Sequence, residues 1–409
     1  MTAPSISPSL QAPSAAEVAL PFLDHHHVDY AARLQQWCSA NAELWASPAE
    51  DQRQADQQCT AIVRQLASDG WLRFVADDGD QAGRHWDFRA LCLAREQLAH
   101  ADDLADFAFS IQALAAMPVA RHGNGDQRSR YLAGFADGSL IGSFAVSELS
   151  AGSDLSAVQL SAERIDNGWV LNGSKAWIAN GTTADVHTVI ARTGDGPGAL
   201  GLSAFLVPAD ADGVSVSQRL SAIAPRPFAH LAFDNCQLDD SSLLGARGQG
   251  FVIAMELLEH FRMTVGAAAV GFGRRAAEAS LAHARSRKIG TGTLFDLDSV
   301  RATFARMETD LSAAWLLVLR AAWEADRHNR RFGKHSSMAK VHATETAQRV
   351  VDEALQFFGA AGVVAESLPE RLYRQVRLLR IYEGASEVQL ATIASTLDFG
   401  RLTAAGTGR

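Results

Sequence analysis

The chain has 409 residues, 47% of them apolar and 20% charged, with a formal net charge of −9. This is enough apolar material for a buried core in about two or three domains, and it excludes disorder of the bulk. No window holds the roughly 18 uninterrupted apolar residues of a membrane-spanning helix, and the acidic balance argues against a nucleic-acid partner, which needs a basic face.

Residues 1–27 are expected to be a flexible arm, because the first twenty are rich in Ser, Pro and Ala. No basic segment followed by an apolar one marks a secretory signal there. The run His25, His26, His27 reads as exposed histidines opening the first helix, with a metal site as the alternative. Residues 28–138 read as helical, since apolar residues recur at helical spacing in Leu34, Trp37, Cys38 and again in Ile62, Val63, Leu66. Gly70, Asp77 to Asp80 and Gly123-Asn124-Gly125 punctuate these helices. Residues 139–243 change to short strands. Trp169-Val170-Leu171 and Ala176-Trp177-Ile178 are expected to pair as a hairpin about Asn172-Gly173, a dipeptide that tolerates positive φ. His187 to Ala191 and Leu202 to Val207 are further strands. Residues 244–409 return to helices, with Val265, Ala269, Phe272, Ala276 on one stripe and Trp315, Leu319, Trp323 on another. The predicted class is therefore α+β: a helical domain, a barrel-like β domain and a C-terminal four-helix bundle. Cys38, Cys59, Cys92 and Cys236 form no C-x-x-C pair, which fits a reducing, cytoplasmic setting and neither a disulfide scaffold nor a zinc site. No dinucleotide-binding glycine motif or P-loop occurs.

Several segments can carry chemistry. Phe144 to Asp154 leads a strand into a loop with Ser150, Gly152, Ser153 and Asp154, whose hydroxyls and N–H groups suit a polar ring edge or an anion, or form an ordinary turn. Trp177 is either core or the wall of a cofactor site. In Arg380 to Glu387, Glu383 stands between apolar residues and Gly384. A desolvated carboxylate there is suited to general-base work near neutral pH. The alternative is a salt-bridged Glu beside Arg371, Arg374, Arg377 and Arg380. Glu259-His260-Phe261-Arg262 is an acid–base pair or a charged helix face. His342 and Glu345 lie one helical turn apart without a third metal ligand.

Taken in order, these segments resemble the acyl-CoA dehydrogenase family over most of the chain. The residues that carry the resemblance are Phe144 to Asp154, Trp169 to Gly181, Asp240 to Phe251, Arg262 to Gly271, Gln356 to Gly362 and Pro369 to Glu387 with its Ile-Tyr-Glu-Gly run. The resemblance implies α,β-dehydrogenation of an acyl thioester, carried on CoA or on an acyl carrier protein. FAD would lie between the β domain and the C-terminal bundle, and a neighbouring subunit would complete its site in a homodimer or homotetramer. Glu383 matches the family's base, and its own N–H would polarise the thioester carbonyl. Phe261 stands where another branch carries its base, and Arg262 matches an arginine beside the active site. These two, with Gly384 and Ser153, would meet the substrate. Phe144, Val146, Ser147 and Trp177 match positions along the flavin ring, and Ser153 matches one near its pyrophosphate. Arg287, Gln356, Gly359 and Ala360 match the adenine end contributed by the neighbour. Ser386 and Glu387 match positions near the pyrophosphate and ribose. Electron-transferring flavoprotein is the implied electron acceptor.

The chain departs from the family's pattern in places. Ala179 replaces a threonine that offers a hydroxyl to the flavin, Arg287 to Thr291 keeps the arginine but not the aromatic, Asp298 replaces a glutamine, and Gly359 to Gly362 reads Gly-Ala-Ala-Gly. Ala179 and the Arg287 segment motivate an alternative, a flavin oxidase or monooxygenase of the same fold. A flavin-containing nucleic-acid-binding protein is a third, opposed by the net charge of −9.

Overall fold

The computed structural model describes residues 20–45, 48–76, 86–194, 196, 198–327 and 332–397. Its first part is five helices: α1 (His25–Ala40), α2 (Gln52–Ser68), α3 (Phe88–Ala101), α4 (Ala105–His122) and α5 (Gly125–Asp137). Short polar side chains start them. Asp51 accepts from the Gln54 N–H, Asp87 from the Ala90 N–H, and Asn124 forms a reciprocal capping pair with Gln127. Helix α4 is buried along its whole length from Ala105 to Ala120, so it serves as the central rod of this domain.

A short turn at Leu20–Phe22 and the start of α1 fall inside the segment expected to be an arm, whereas residues 1–19 and Asp77 to Asp80 lie outside the described residues. The histidine run is not uniformly exposed. His27 is fully buried, its Nδ1 accepts the Asp24 N–H, and its Nε2 donates to the Asp87 carboxylate at 2.9 Å. Both ring nitrogens are used in starting the helix, which leaves neither for a metal ion.

The middle of the chain is one open sheet. Its strands are β1 (Gly142–Ala145), β2 (Ser161–Ile165), β3 (Gly168–Ala179), β4 (Val186–Arg192), β5 (Leu202–Pro208), β6 (Val214–Arg219), β7 (Phe228–Asp239) and β8 (Leu243–Leu244). The order is β6-β7-β3-β2-β4-β5-β8, with β1 parallel to β4. The sheet curls around Trp169, Leu171, Phe205, Val207, Leu231 and Phe233 but does not close. The expected hairpin about Asn172-Gly173 does not form. β3 runs straight through those residues, and the tight turn is Asp166-Asn167, between Ile165 and Gly168. Gly173 has φ +137° at a register shift against β7, so its conformational freedom serves a bulge instead of a turn.

The last part packs four long helices: α6 (Gly250–Ser286), α7 (Asp298–Asp326), α8 (Phe332–Phe358) and α9 (Leu368–Leu379). A strand pair, β9 (Lys288–Ile289) with β10 (Gly292–Thr293), and a short α10 (Ser386–Ser395) complete it. Residues 260–273 of α6 are all buried, because this helix faces α8, α7 and α3 together. The helical, β and helical order holds. Among the described residues no helix is long and apolar enough to cross a membrane.

Candidate active site

Glu383 lies just past the end of α9, where the chain reverses before α10. Its φ is +53° and that of Gly384 is +89°. A left-handed residue other than glycine is strained by about 1–2 kcal/mol, so the surroundings must hold it. Lys340, on α8 and 1% exposed, donates from Nζ to the carbonyls of both Tyr382 and Gly384, on either side of Glu383. Gln389 Nε2 donates to the carbonyls of Glu383 and Gly384 at 3.3 and 2.9 Å. Ser386 is tied down as well: its hydroxyl donates to Glu345, which also pairs with Arg380 at 2.8 Å. Glu345, one of the two residues weighed as metal ligands, is thus a bracket for this turn.

The carboxylate of Glu383 has a buried Oε2 without a hydrogen-bond partner. Burial pushes its pKa above the usual carboxylate range. Arg95, Lys340 and Arg262 pull it back, and Asp106 adds to the rise. Arg95 on α3 is itself locked by a two-pronged pair to Asp106 on α4, at 2.7 and 3.0 Å, and by a bond to the Thr264 hydroxyl. Arg262 is buried with no partner for its Nε. Burial lowers its pKa, opposed by Glu259 and Glu383. Burial also brings Lys340 down to about 8, with Glu383 opposing the drop. The base thus sits among cations whose own charge is costly to bury. Phe261, beside Arg262, is fully buried.

The other expected residues fall into two groups. Phe144 lies next to the end of β1, and Val146 and Ser147 follow that strand into the loop. That loop is held by Glu148, which accepts from the Gln159 and Leu160 N–H groups and from the buried Lys175 at 2.8 Å. Trp177 has φ +56° at a second register shift of β3, which turns its ring outward, 52% exposed and edge-on to His230. Ala179 pairs with Phe228, which packs edge-on against Phe107 of α4. Val146, Ala179, Phe228 and Tyr382 all rest on the same core. Ser153 is exposed beyond the loop. Within this first group Ala179 is linked toward the Glu383 turn, through Phe228, Phe107 and the Arg226 guanidinium, which acts electrostatically on Tyr382.

Arg287, Gln356, Gly359 and Ala360 form the second group, all exposed. His283 and Phe358 stack at 4.3 Å and bring the ends of α6 and α8 together. Gln356 is about 24 Å along α8 from Lys340, and Arg287 about 37 Å along α6 from Arg262, at 1.5 Å per residue. One chain therefore does not bring these residues to Glu383. Ser386 is buried against Glu345 and Glu387 is exposed in the first turn of α10.

Reading by motif passed over Lys340, Arg95, Asp106 and Arg226. A signal for them exists. Lys340 falls on the stripe Ala339, Ala343, Ala347, and Arg95 and Asp106 interrupt apolar runs that are otherwise core.

Three family models match the chain: the acyl-CoA dehydrogenase N-terminal domain over residues 25–139, the middle domain over 143–236 and the C-terminal domain over 248–397. The chain is 33% identical to the mitochondrial short-chain specific acyl-CoA dehydrogenase of Mus musculus over 369 residues, 89% of either chain. Among solved structures it is similar to butyryl-CoA dehydrogenase from Megasphaera elsdenii, with TM-score 0.81 and 27% identity, over 91% of this chain and 98% of that one. It is also similar to a chain in the structure of the electron transferring flavoprotein of Acidaminococcus fermentans, with TM-score 0.82 and 28% identity, over 92% and 99%.

Proposed function

Because the chain belongs to the acyl-CoA dehydrogenase family, and is thus an oxidoreductase acting on CH–CH donors, we propose that it desaturates an acyl thioester with Glu383 as the base. The cofactor is FAD, as the family dictates. The residues fit a flat ring: Trp177 is turned out of its strand, Ile381 exposes an apolar side chain beside the base, and the Ser147 hydroxyl offers a polar edge. Phe144, Val146, Ser147, Trp177 and Ala179 would hold that ring. Bound FAD supplies the acceptor for the β hydride, which no side chain can.

Everything else falls to the chain. A thioester α C–H is only weakly acidic, so negative charge building on the carbonyl oxygen needs positioned donors. Among the described residues no group accepts from the Glu383 N–H, which leaves it for that oxygen. The Glu383 carboxylate takes the α proton. Arg95, Lys340 and Arg262 favour its ionised form against burial. Gly384, Phe261 and Ser153 complete the substrate contacts of this reading.

The observation that carries this proposal is the unpartnered Oε2 of Glu383, buried in a turn held from both sides. Anaerobic addition of an acyl-CoA should bleach the flavin of the wild type. In E383Q the bleaching rate should fall by about 10²- to 10⁴-fold, and unchanged bleaching would overturn the assignment.

The separation of Arg287, Gln356, Gly359 and Ala360 from Glu383 supports a second copy completing each flavin site, in a homodimer or a dimer of dimers. Ser386 and Glu387 would then serve the pyrophosphate and ribose. Electron-transferring flavoprotein is the acceptor in this reading. Ala179, which lacks a hydroxyl, favours a second reading in which oxygen takes the electrons. Fast reoxidation of the reduced protein in air, with peroxide released, would select it.

A further inference from the structure

Arg226, in the loop between β6 and β7, is fully buried and has no carboxylate partner among the described residues. Its Nη2 donates to the neutral Gln375 side chain on α9, and its guanidinium lies over the Phe107 ring at 4.8 Å. Nε and Nη1 are buried without any partner. The contrast with the neighbouring cations is sharp. Arg95 is closed on Asp106, Lys340 faces Glu383, and Arg262 faces Glu259 and Glu383. A buried guanidinium with no counter-charge is costly, and a fold keeps such a group where something anionic completes it.

The position narrows what that anion is. Phe107, under the guanidinium, follows Asp106 on α4 and packs on Phe228, which pairs with Ala179. The Tyr382 hydroxyl, next to the base, is within electrostatic reach of Arg226, Arg95, Asp106 and Glu383. Its unpartnered donors therefore lie in the charged cluster around the Glu383 turn, with Gln375, Phe107 and Tyr382 about them. Asp106 and Glu383 are already balanced by Arg95, Lys340 and Arg262, so an entering anion meets the uncompensated charge of Arg226. A guanidinium with one face on an aromatic ring offers its edge, and a planar carboxylate is the anion that takes an edge best.

Resting on the function above, we propose that Arg226 binds a carboxylate at the far end of the acyl group, so that this site takes the thioester of a short dicarboxylic acid.

The test uses the purified holoenzyme and thioesters matched in length, pentanoyl-CoA against glutaryl-CoA and hexanoyl-CoA against adipyl-CoA. For at least one pair kcat/KM should favour the dicarboxylic member by tenfold or more. In R226Q that ratio should drop at least tenfold, and R226K should recover part of it. In an E383Q background, where binding is read without turnover from the flavin spectrum, R226Q should weaken the dicarboxylic thioester at least tenfold more than the alkyl one. Equal or better use of the alkyl members by the wild type overturns the proposal, whether or not R226Q folds. A dicarboxylic preference that survives in folded R226Q overturns it too. If no thioester of either kind bleaches the flavin, the dehydrogenase reading itself fails, a result separate from this one.

Discussion

As the proposed base, Glu383 would gain its reactivity from the groups around its turn, and Lys340 is the clearest of them. Its ammonium both fixes the strained turn and places a positive charge beside the carboxylate. A base at Glu383 would work in its ionised form, so the rate should rise as pH passes through its pKa. Removing the cation disfavours the ionised form and moves that rise to higher pH. We expect K340M to lose more activity at pH 6 than at pH 9, with the acidic limb of the kcat profile displaced upward. A pH profile of K340M lying parallel to the wild type, merely lower, would mean that the lysine only holds the turn. Glu383 was legible from its Tyr-Glu-Gly surroundings. Its positive φ and its lysine were not, because Lys340 is 43 positions away in the chain and meets it only through the packing of α8 under the turn.

At the scale of elements, sites depend on how closely helices and strands can approach. Gly271 of α6 touches α3 so tightly that a Cβ would stand 2.1 Å from the Glu96 carbonyl oxygen. G271A must therefore push apart the two helices that carry Arg95 and Arg262. Overpacking of this kind costs about 1–3 kcal/mol, to be read as a lowered urea midpoint. G125A, where a Cβ meets nothing within 4 Å, should stay close to the wild type. Equal midpoints for the two variants would show that the helices can relax. The helical stripe of α7 was readable because burial on one face imposes a 3.6-residue period, whereas that of α6 lies in a stretch buried all round. The Asn172-Gly173 dipeptide was not, since the same positive φ serves a turn or a bulge. Which of them forms depends on β7, which pairs with β3 across that point. The outward Trp177 comes from the neighbouring shift in the same pair of strands.

For the whole molecule, the length of α6 and α8 that separates Arg287 and Gln356 from the Glu383 turn bears on the number of chains a flavin site needs. If each flavin spans two copies, an E383Q chain and an R287E/Q356A chain damage different halves of a site. Neither variant alone should turn over well, one lacking its base and the other holding FAD poorly. Co-assembled hybrids should regain activity, because one of their sites joins an intact base to an intact remote end. Failure of purified hybrids to exceed either parent would mean that each chain builds its site alone.

Composition and period determined that this chain folds as helices, then strands, then helices, because apolar spacing is a local property written along the backbone. Motif order was enough to single out Glu383, Trp177 and the Phe144 to Asp154 loop. Tertiary structure decided the rest: that β3 bulges instead of turning, that Arg95 is closed on Asp106 while Arg226 is left open, and that Lys340 reaches the base. These depend on contacts between segments far apart in the chain, and the charge state and freedom of a buried group are set by what surrounds it in space. The net charge of −9 ruled on partners of the whole surface. It could not disclose an arginine buried without an anion, because a sum over the chain carries no positions.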